Sequence, residues 1–175
     1  MSPMGSPLHL VKRFIASVLI FRIDGRTELE LLALLSDEEK ILYLSQSRID
    51  RIHSVRNAKV IIGGSPESYK PEHVVAAALH DVGKTEADLG VTGRVFATIL
   101  QSILSEKRIK TWGSKEGVRK QIYCYCLHNE RGAELLEEAG SASVAVAWAR
   151  YHHDREDHEN IPAEVIALLR KADRI

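Results

Sequence analysis

The stretch that most constrains this chain is an apolar helical run, residues 76–79, that leads directly into His80 and Asp81. A neighbouring imidazole and carboxylate can bind one divalent cation together, because the last side chain of a helix can swing beside the next. Two ligands cannot complete a coordination sphere. If the pair is part of a metal site, other helices must supply further histidine, aspartate or glutamate side chains.

Residues of the required types occur at helical positions elsewhere in the chain. One precedes the pair and four follow it: His53, then His128, His152, His153 and Asp173. All these candidates offer nitrogen or oxygen atoms and none is a cysteine, which suits Mn, Fe, Zn, Co or Ni and argues against a structural thiolate zinc site. Because the candidates are too many for one ion, the sequence predicts divalent transition-metal ions as cofactors, two in number.

The order of these residues resembles the HD-domain superfamily of metal-dependent phosphohydrolases. The resemblance covers about residues 48–175 and is densest in four blocks: 79–84, 128–136, 151–154 and 172–173. The additional histidine blocks are similar to those of the small, two-metal members, which include cyclic-dinucleotide phosphodiesterases and dinucleoside-polyphosphate hydrolases. The chain has no Gly-Tyr-Pro element after His153, in which it departs from the cyclic-di-GMP phosphodiesterases.

The resemblance implies two sets of metal ligands. One ion would be held by His53, His80, Asp81 and Asp173, and the other by His128 with His152 or His153. Asp81 would bridge the two ions. Adjacent residues on a helix differ by about 100° in direction, so the sequence leaves open which member of the 152–153 pair is the ligand. The other would bind substrate or donate a proton to the leaving group.

The implied reaction is hydrolysis of a phosphate ester or anhydride in a small nucleotide or a related phosphate compound, as a phosphomonoesterase or phosphodiesterase. Two ions can lower the pKa of a bridging water and hold the phosphoryl oxygens. Lys84 follows the turn at Gly83 and is expected to contact a substrate phosphate, unless it is an ordinary solvated lysine. Arg131 is a second substrate-binding candidate, and the expected catalytic residues are Asp81, Lys84 and His153.

Two other functions fit the same residue pattern. The ligand set also resembles that of the di-iron oxygenases of the HD superfamily, and ligands alone do not fix the redox chemistry of a metal. A catalytically weak HD module with a signalling or scaffold role is the other alternative. A metal analysis combined with an absorption spectrum would discriminate between hydrolase and oxygenase.

Composition bounds the partners and the compartment. The chain has 175 residues with 24 Lys plus Arg and 24 Asp plus Glu, so its formal net charge of zero argues against stable nucleic-acid binding. The basic run from Lys107 to Lys120 is either solvated surface or a rim that attracts an anionic substrate. The two cysteines, Cys124 and Cys126, are expected to be thiols in a reducing, cytoplasmic setting. No transmembrane segment is expected, and a homodimer is possible.

Helical spacing and the absence of strand alternation predict an all-α fold, a single helical bundle, and the resemblance implies that this bundle is of the HD-domain type. We expect a disordered N-terminus over residues 1–7, amphipathic helices over 8–46 packed on the domain, and the metal-binding HD domain over 47–175. His73 is expected to be structural. The predicted helices that matter for the site are Ser47 to Ile62, Pro71 to Asp81, Lys115 to Leu127, Asn129 to Glu138, 142–153 and Pro162 to Asp173.

Overall fold

A computed structural model describes residues 22–64, 69–154 and 160–174 of the chain. The disordered segment predicted over 1–7 and the first amphipathic helix, predicted from Leu8, lie outside the described residues. Every regular element within the described ranges is helical, which confirms the all-α fold class. None of the helices there is both long and apolar enough to cross a membrane. The α-helices are α1 Gly25–Leu34, α2 Asp37–Ser45, α3 Arg48–Ile62, α4 Pro71–Leu79, α5 Val91–Ile103, α6 Glu106–Lys110, α7 Val118–Cys126, α8 His128–Glu138, α9 Ser143–Tyr151 and α10 Ala163–Asp173, and a 3-10 helix spans Val82–Ala87.

The described chain forms two compact units. The first unit contains residues 22–83 and 129–174, and the second unit contains residues 84–128. All helices from α1 to α4, together with α9 and α10, belong to the first unit. The second unit contains α5, α6 and α7.

Helix α4 is the centre of the first unit, where α1, α3, α9 and α10 all pack against it. Its residues from Val74 to Leu79 are all buried. A helix that is apolar on every side must be enclosed by protein, and the three alanines in this run let neighbouring backbones approach closely. Its central position means that whatever follows Leu79 is delivered to the interior of the unit.

Local capping signals set most of the helix boundaries in the first unit. Ser36 and Glu39 form a capping box at the start of α2, with reciprocal hydrogen bonds of 3.1 and 2.9 Å. Ser47 caps α3 and Gly63 follows its last residue, so the helix spans almost the predicted range Ser47 to Ile62. Orphan amide groups at helix starts are satisfied by such side chains, so these boundaries do not depend on the rest of the fold.

The structure corrects several of the predicted helix limits and adds one helix. Helix α4 ends at Leu79, two residues before the predicted end at Asp81, because the chain turns at the His-Asp pair. Helix α7 begins at Val118 rather than Lys115, since Gly117 has a φ of +63° that a right-handed helix cannot contain. The short helix α6 lies in the basic run, for which no helix is predicted.

A partly buried polar network joins α1, α2 and α3. The Tyr43 hydroxyl donates to Glu28 at 2.7 Å, and the Arg51 guanidinium donates to the same carboxylate. Arg51 also lies 5.3 Å from the centroid of the Tyr43 ring, close enough for a cation–π contact. Burial and the hydrogen bond to Glu28 raise the pKa of Tyr43 to about 12. The network fixes the start of α3, the helix that carries His53.

The second unit has its own apolar core, in which α7 packs against α5 and α6. Cys126 is buried in this core and Cys124 is half-buried, and both are free thiols. Burial raises the pKa of the Cys126 thiol to about 11. This thiol is therefore protonated and unreactive at neutral pH, as expected of a core cysteine.

Candidate metal centre

Five of the predicted ligands come together within the first unit. His53 lies in the middle of α3, and the other four lie at or directly after the ends of α4, α9 and α10: His80, Asp81, His152 and Asp173. Their ligand atoms form two groups that could hold a metal ion, His53 with His80 and Asp173, and His80 with Asp81 and His152. Within each group the atoms are within 4.8 Å of one another.

The two carboxylates lie between the histidine rings. Asp173 Oδ1 is 3.2 Å from His53 Nε2 and 3.3 Å from His80 Nε2. Asp81 Oδ2 is 3.7 Å from the same two nitrogens, while Asp81 Oδ1 is 3.7 Å from His152 Nε2. The two oxygens of Asp81 thus face different histidines, an arrangement that lets one carboxylate contact two ions.

Two of the rings are oriented by the helix that precedes them. The Nδ1–H of His80 donates to the carbonyl of Ala77 at 3.0 Å, and the Nδ1–H of His152 donates to the carbonyl of Ala149 at 2.9 Å. The last carbonyls of a helix have no intrahelical donor, so each histidine uses one that its own helix leaves open. With the proton on Nδ1, Nε2 is the atom with the lone pair, which is the tautomer required for a metal bond through Nε2.

The backbone adds to the preference for a cation. His80 is the C-cap of α4, His152 is the C-cap of α9, and Asp173 is the last residue of α10. The C-terminal end of a helix carries a partial negative charge of roughly half an elementary charge. Three such ends and two carboxylates meet at the cluster, so a divalent cation is favoured there and an anion is not.

Burial strengthens these interactions. His80 is 1% exposed and Asp81 is 6% exposed. Burial raises the pKa of the Asp173 carboxyl, but attraction to the charge that His80 can carry and the close polar contacts with His53 and His80 outweigh it, so the net direction of the pKa is down. Asp173 is therefore an anion at neutral pH. Imidazole nitrogens with two carboxylates form a donor set that fits a divalent transition-metal ion.

His152 and His153 differ in what they contact. His152 directs Nε2 at Asp81, whereas His153 is exposed and its ring centroid lies 3.9 Å from that of His152. The difference arises because α9 ends at Tyr151, after which the chain turns. Of the adjacent pair, His152 is the one in the first-unit cluster.

The remaining predicted residues have the following environments. Arg131 forms ion pairs with Glu134 at 3.0 Å and Glu138 at 3.4 Å on its own helix. His73 is buried, its Nδ1 accepts the backbone N–H of Lys70 at 3.2 Å, and burial lowers its pKa. A capping contact of this kind agrees with the structural role expected for His73.

Two predicted site residues belong to the second unit. His128 is buried and its Nδ1–H donates to the carbonyl of Tyr125 at 2.7 Å, the same arrangement that fixes His80 and His152. Lys84 places its ammonium group 5.8 Å from the centroid of the Tyr125 ring. The role of His128 as a ligand of a second ion and the role of Lys84 at the substrate stay predictions.

Sequence reasoning missed three residues that shape the cluster. Asn57 is buried one helical turn after His53 and contacts its ring, and a spacing of four on one helix could have indicated it. Trp148 is buried with its ring centroid 6.4 Å from that of His80. A Cβ at Gly132 would lie 3.2 Å from the backbone nitrogen of Gly83, so α8 packs directly on the turn that follows the His-Asp pair.

Comparison with known proteins identifies no relative: no protein-family model, no curated protein sequence and no solved structure matches this chain.

Proposed function

We propose that the protein is a metal-dependent phosphohydrolase of the HD-domain type that acts on a small nucleotide or a related phosphate compound. The observation that carries the proposal is the placement of Asp81, whose two oxygens face different histidines. A carboxylate so placed can join two metal positions. His53, His80 and Asp173 would hold one ion, and His152 would contribute to the other.

Divalent ions bound there would supply an acidified water and positive charge for the phosphoryl oxygens. The chain itself orients the ligands. The carbonyls of Ala77 and Ala149 fix the tautomers of His80 and His152, and burial keeps water away from these contacts. Ligands held in advance in this way reduce the reorganisation that metal binding and catalysis would otherwise require.

The protein groups outside the cluster have complementary parts in the proposal. His153 is exposed beside His152 and can donate a proton to a leaving group. Lys84 and Arg131 are the cations proposed to contact the phosphate groups of the substrate. The choice of a nucleotide as substrate rests on the resemblance to the HD superfamily.

The test combines metal counting with a hydrolysis assay. Protein purified without chelator should contain more than one equivalent of transition metal and should hydrolyse a nucleotide phosphate ester or anhydride when Mn²⁺ is added. Asp81→Ala should abolish turnover, because it removes the contacts to both histidine groups. His73→Gln is the matched control, since His73 is a buried histidine that makes a cap contact at the start of α4, the helix that precedes Asp81.

Three results would contradict the proposal. Turnover that survives Asp81→Ala would show that the cluster is not the catalyst. A metal content near one equivalent that His128→Ala leaves unchanged would limit the site to a single ion. Stoichiometric iron with a visible absorption band, without hydrolysis of any phosphate compound tested, would favour the di-iron oxygenase alternative.

A further inference from the structure

Asn57 is a buried polar residue that the packing of the core does not explain. It lies one helical turn after His53 on α3 and is 1% exposed. Its amide nitrogen Nδ2 is 3.1 Å from His53 Nε2 and 3.4 Å from the carbonyl oxygen of Ala77. Its amide oxygen has no hydrogen-bond partner among the described residues. An apolar side chain of similar size would avoid burying that oxygen, so packing alone does not favour asparagine here.

The contact with Ala77 decides which way the amide faces. A backbone carbonyl oxygen only accepts hydrogen bonds, so the amide atom next to it must be the nitrogen. The same nitrogen is the one that approaches the His53 ring. His53 Nε2 must therefore accept a hydrogen from Asn57, which requires a lone pair on Nε2 and the proton on Nδ1.

This tautomer is the one that the other histidines of the cluster adopt by a different route. His80 and His152 follow helix ends and donate from Nδ1 to carbonyls that have no intrahelical donor. His53 lies inside α3, where the carbonyls of the preceding turn are engaged by the helix itself. His53 therefore cannot donate from Nδ1 to a carbonyl at a helix end, and Asn57 instead contacts Nε2, on the opposite side of the ring.

A competing contact makes the role of Asn57 necessary. Asp173 Oδ1 is 3.2 Å from His53 Nε2, and a carboxylate there favours a proton on Nε2, the tautomer that cannot bind a metal through that atom. We propose that Asn57 is a positioning residue that holds His53 in the Nδ1–H tautomer and in the ring orientation of the cluster, against the pull of Asp173.

The carbonyl of Ala77 extends this effect to a second ring. It accepts from Nδ1 of His80 at 3.0 Å as well as from the Asn57 amide. One backbone oxygen thus accepts both the hydrogen bond that positions Asn57 against His53 and the hydrogen bond that orients His80. An ion held by Nε2 of His53 would replace the Asn57 hydrogen on the same lone pair, a consequence that rests on the proposed function, whereas the tautomer itself is a property of the metal-free chain.

The first experiment measures the tautomer of His53 in metal-free protein by long-range nitrogen–proton correlation spectra of the imidazoles. It is done above about pH 8, where an ordinary imidazole is neutral. Wild type should show the Nδ1–H form. Asn57→Leu should shift His53 to the Nε2–H form, and so should Asn57→Asp, whose carboxylate has the same shape and only accepts. Ser54→Ala is the matched control, because Ser54 is equally buried on α3 and donates to Gln46, away from the ring.

An Nε2–H form in wild type, or an unchanged His53 spectrum in Asn57→Leu, would overturn the inference. A shift of the same size in Ser54→Ala would overturn it too, because the cause would then be helix packing. A second experiment measures Mn²⁺ and Zn²⁺ affinity by competition with a coloured chelator. This measurement shows whether wild type binds metal at all, so it tests the proposed function separately from the tautomer of His53.

The two experiments separate this inference from the proposed function. If wild type binds no metal but Asn57→Leu still changes the His53 tautomer, the proposed function fails and the positioning role stands. If wild type binds metal but its metal-free form has His53 in the Nε2–H tautomer, the proposed function is untouched and the positioning role of Asn57 fails.

Discussion

Replacing Asp81 by asparagine should separate the metal-dependent stability of the protein from its metal-free stability. Asparagine has the same shape but no charge, so the variant keeps the packing at the end of α4 and loses the anionic contact to three histidines. In the metal-free chain two effects oppose each other. The contacts to the histidines are weakened, but Asp81 also repels Asp173 and raises its pKa, and that repulsion disappears.

The expected magnitudes differ enough to be measured. A metal ion at about 100 times its dissociation constant stabilises the folded state by about 2.7 kcal/mol. With an unfolding entropy of about 2.1 cal/mol/K per residue, a chain of 175 residues has about 0.37 kcal/mol/K, and the midpoint rises by about 7 °C. We expect the metal-free midpoint of Asp81→Asn to stay within about 3 °C of wild type, which corresponds to about 1 kcal/mol.

The assay is thermal unfolding with and without saturating Mn²⁺ or Zn²⁺, followed by circular dichroism. Asp81→Asn should lose most of the metal-induced rise. Asp37→Asn is the control, because Asp37 is an exposed carboxylate on α2 that pairs only with Lys40 among the contacts described for it, and it should keep the full rise. A full metal-induced rise in Asp81→Asn would refute the reasoning that this carboxylate belongs to the ion site.

Three further predictions follow from other parts of the molecule. Because the pKa of Tyr43 is raised to about 12, its neutral form contributes stability that is complete below about pH 10 and is lost between about pH 10 and 12. Urea unfolding between about pH 10 and 12 should therefore show that Tyr43→Phe loses less free energy of unfolding than wild type, by up to about 2.7 kcal/mol. An equal loss in the two proteins would contradict the raised pKa of Tyr43. Gly132→Ala should lower the free energy of unfolding by about 1–3 kcal/mol, although alanine has the better helix propensity, because the new Cβ would lie 3.2 Å from the backbone nitrogen of Gly83. A variant more stable than wild type would show that this contact relaxes without cost. The third prediction concerns a triple charge reversal to glutamate in the basic run, at Lys107, Arg108 and Lys110. If the run attracts an anionic substrate, the variant should have a lower kcat/KM than wild type, and the difference should shrink as salt is added. An unchanged kcat/KM at low ionic strength would mark the run as ordinary surface.

The parts of the fold that the sequence predicts well are those controlled by a few neighbouring residues. The limits of α3 follow from a serine that caps its start and a glycine at its end, and the helix spans almost the predicted range Ser47 to Ile62. The boundary at Gly117 is of the same local kind but was missed, because a glycine shows no sign of its φ in the sequence. The division of the chain into two units depends on contacts between distant residues, and no local pattern indicates it.

The candidate site divides in the same way. The residue types that could bind a metal are visible in the sequence, and the structure brings five of them together in one unit. The choice between His152 and His153 could not be made from the sequence, because it depends on whether α9 ends before the pair. The role proposed for Asn57 could not be predicted from the sequence, because no sequence pattern distinguishes a buried asparagine from an exposed one. It depends on the contact with the Ala77 carbonyl, which only the folded structure shows.

The electrostatics of the cluster connect the metal to the class of substrate. Three helix C-termini and two carboxylates give the cluster a negative potential, so the cluster without metal ions would repel a phosphate group. A phosphohydrolase built on this cluster must therefore reverse the sign of its own site before an anionic substrate can approach. The only groups in the cluster that can gain positive charge are the imidazoles, and their protonation would occupy the nitrogens that are proposed to bind the metal ions. Divalent ions reverse the sign without that cost, because they bind through the same nitrogens and add charge in place of protons.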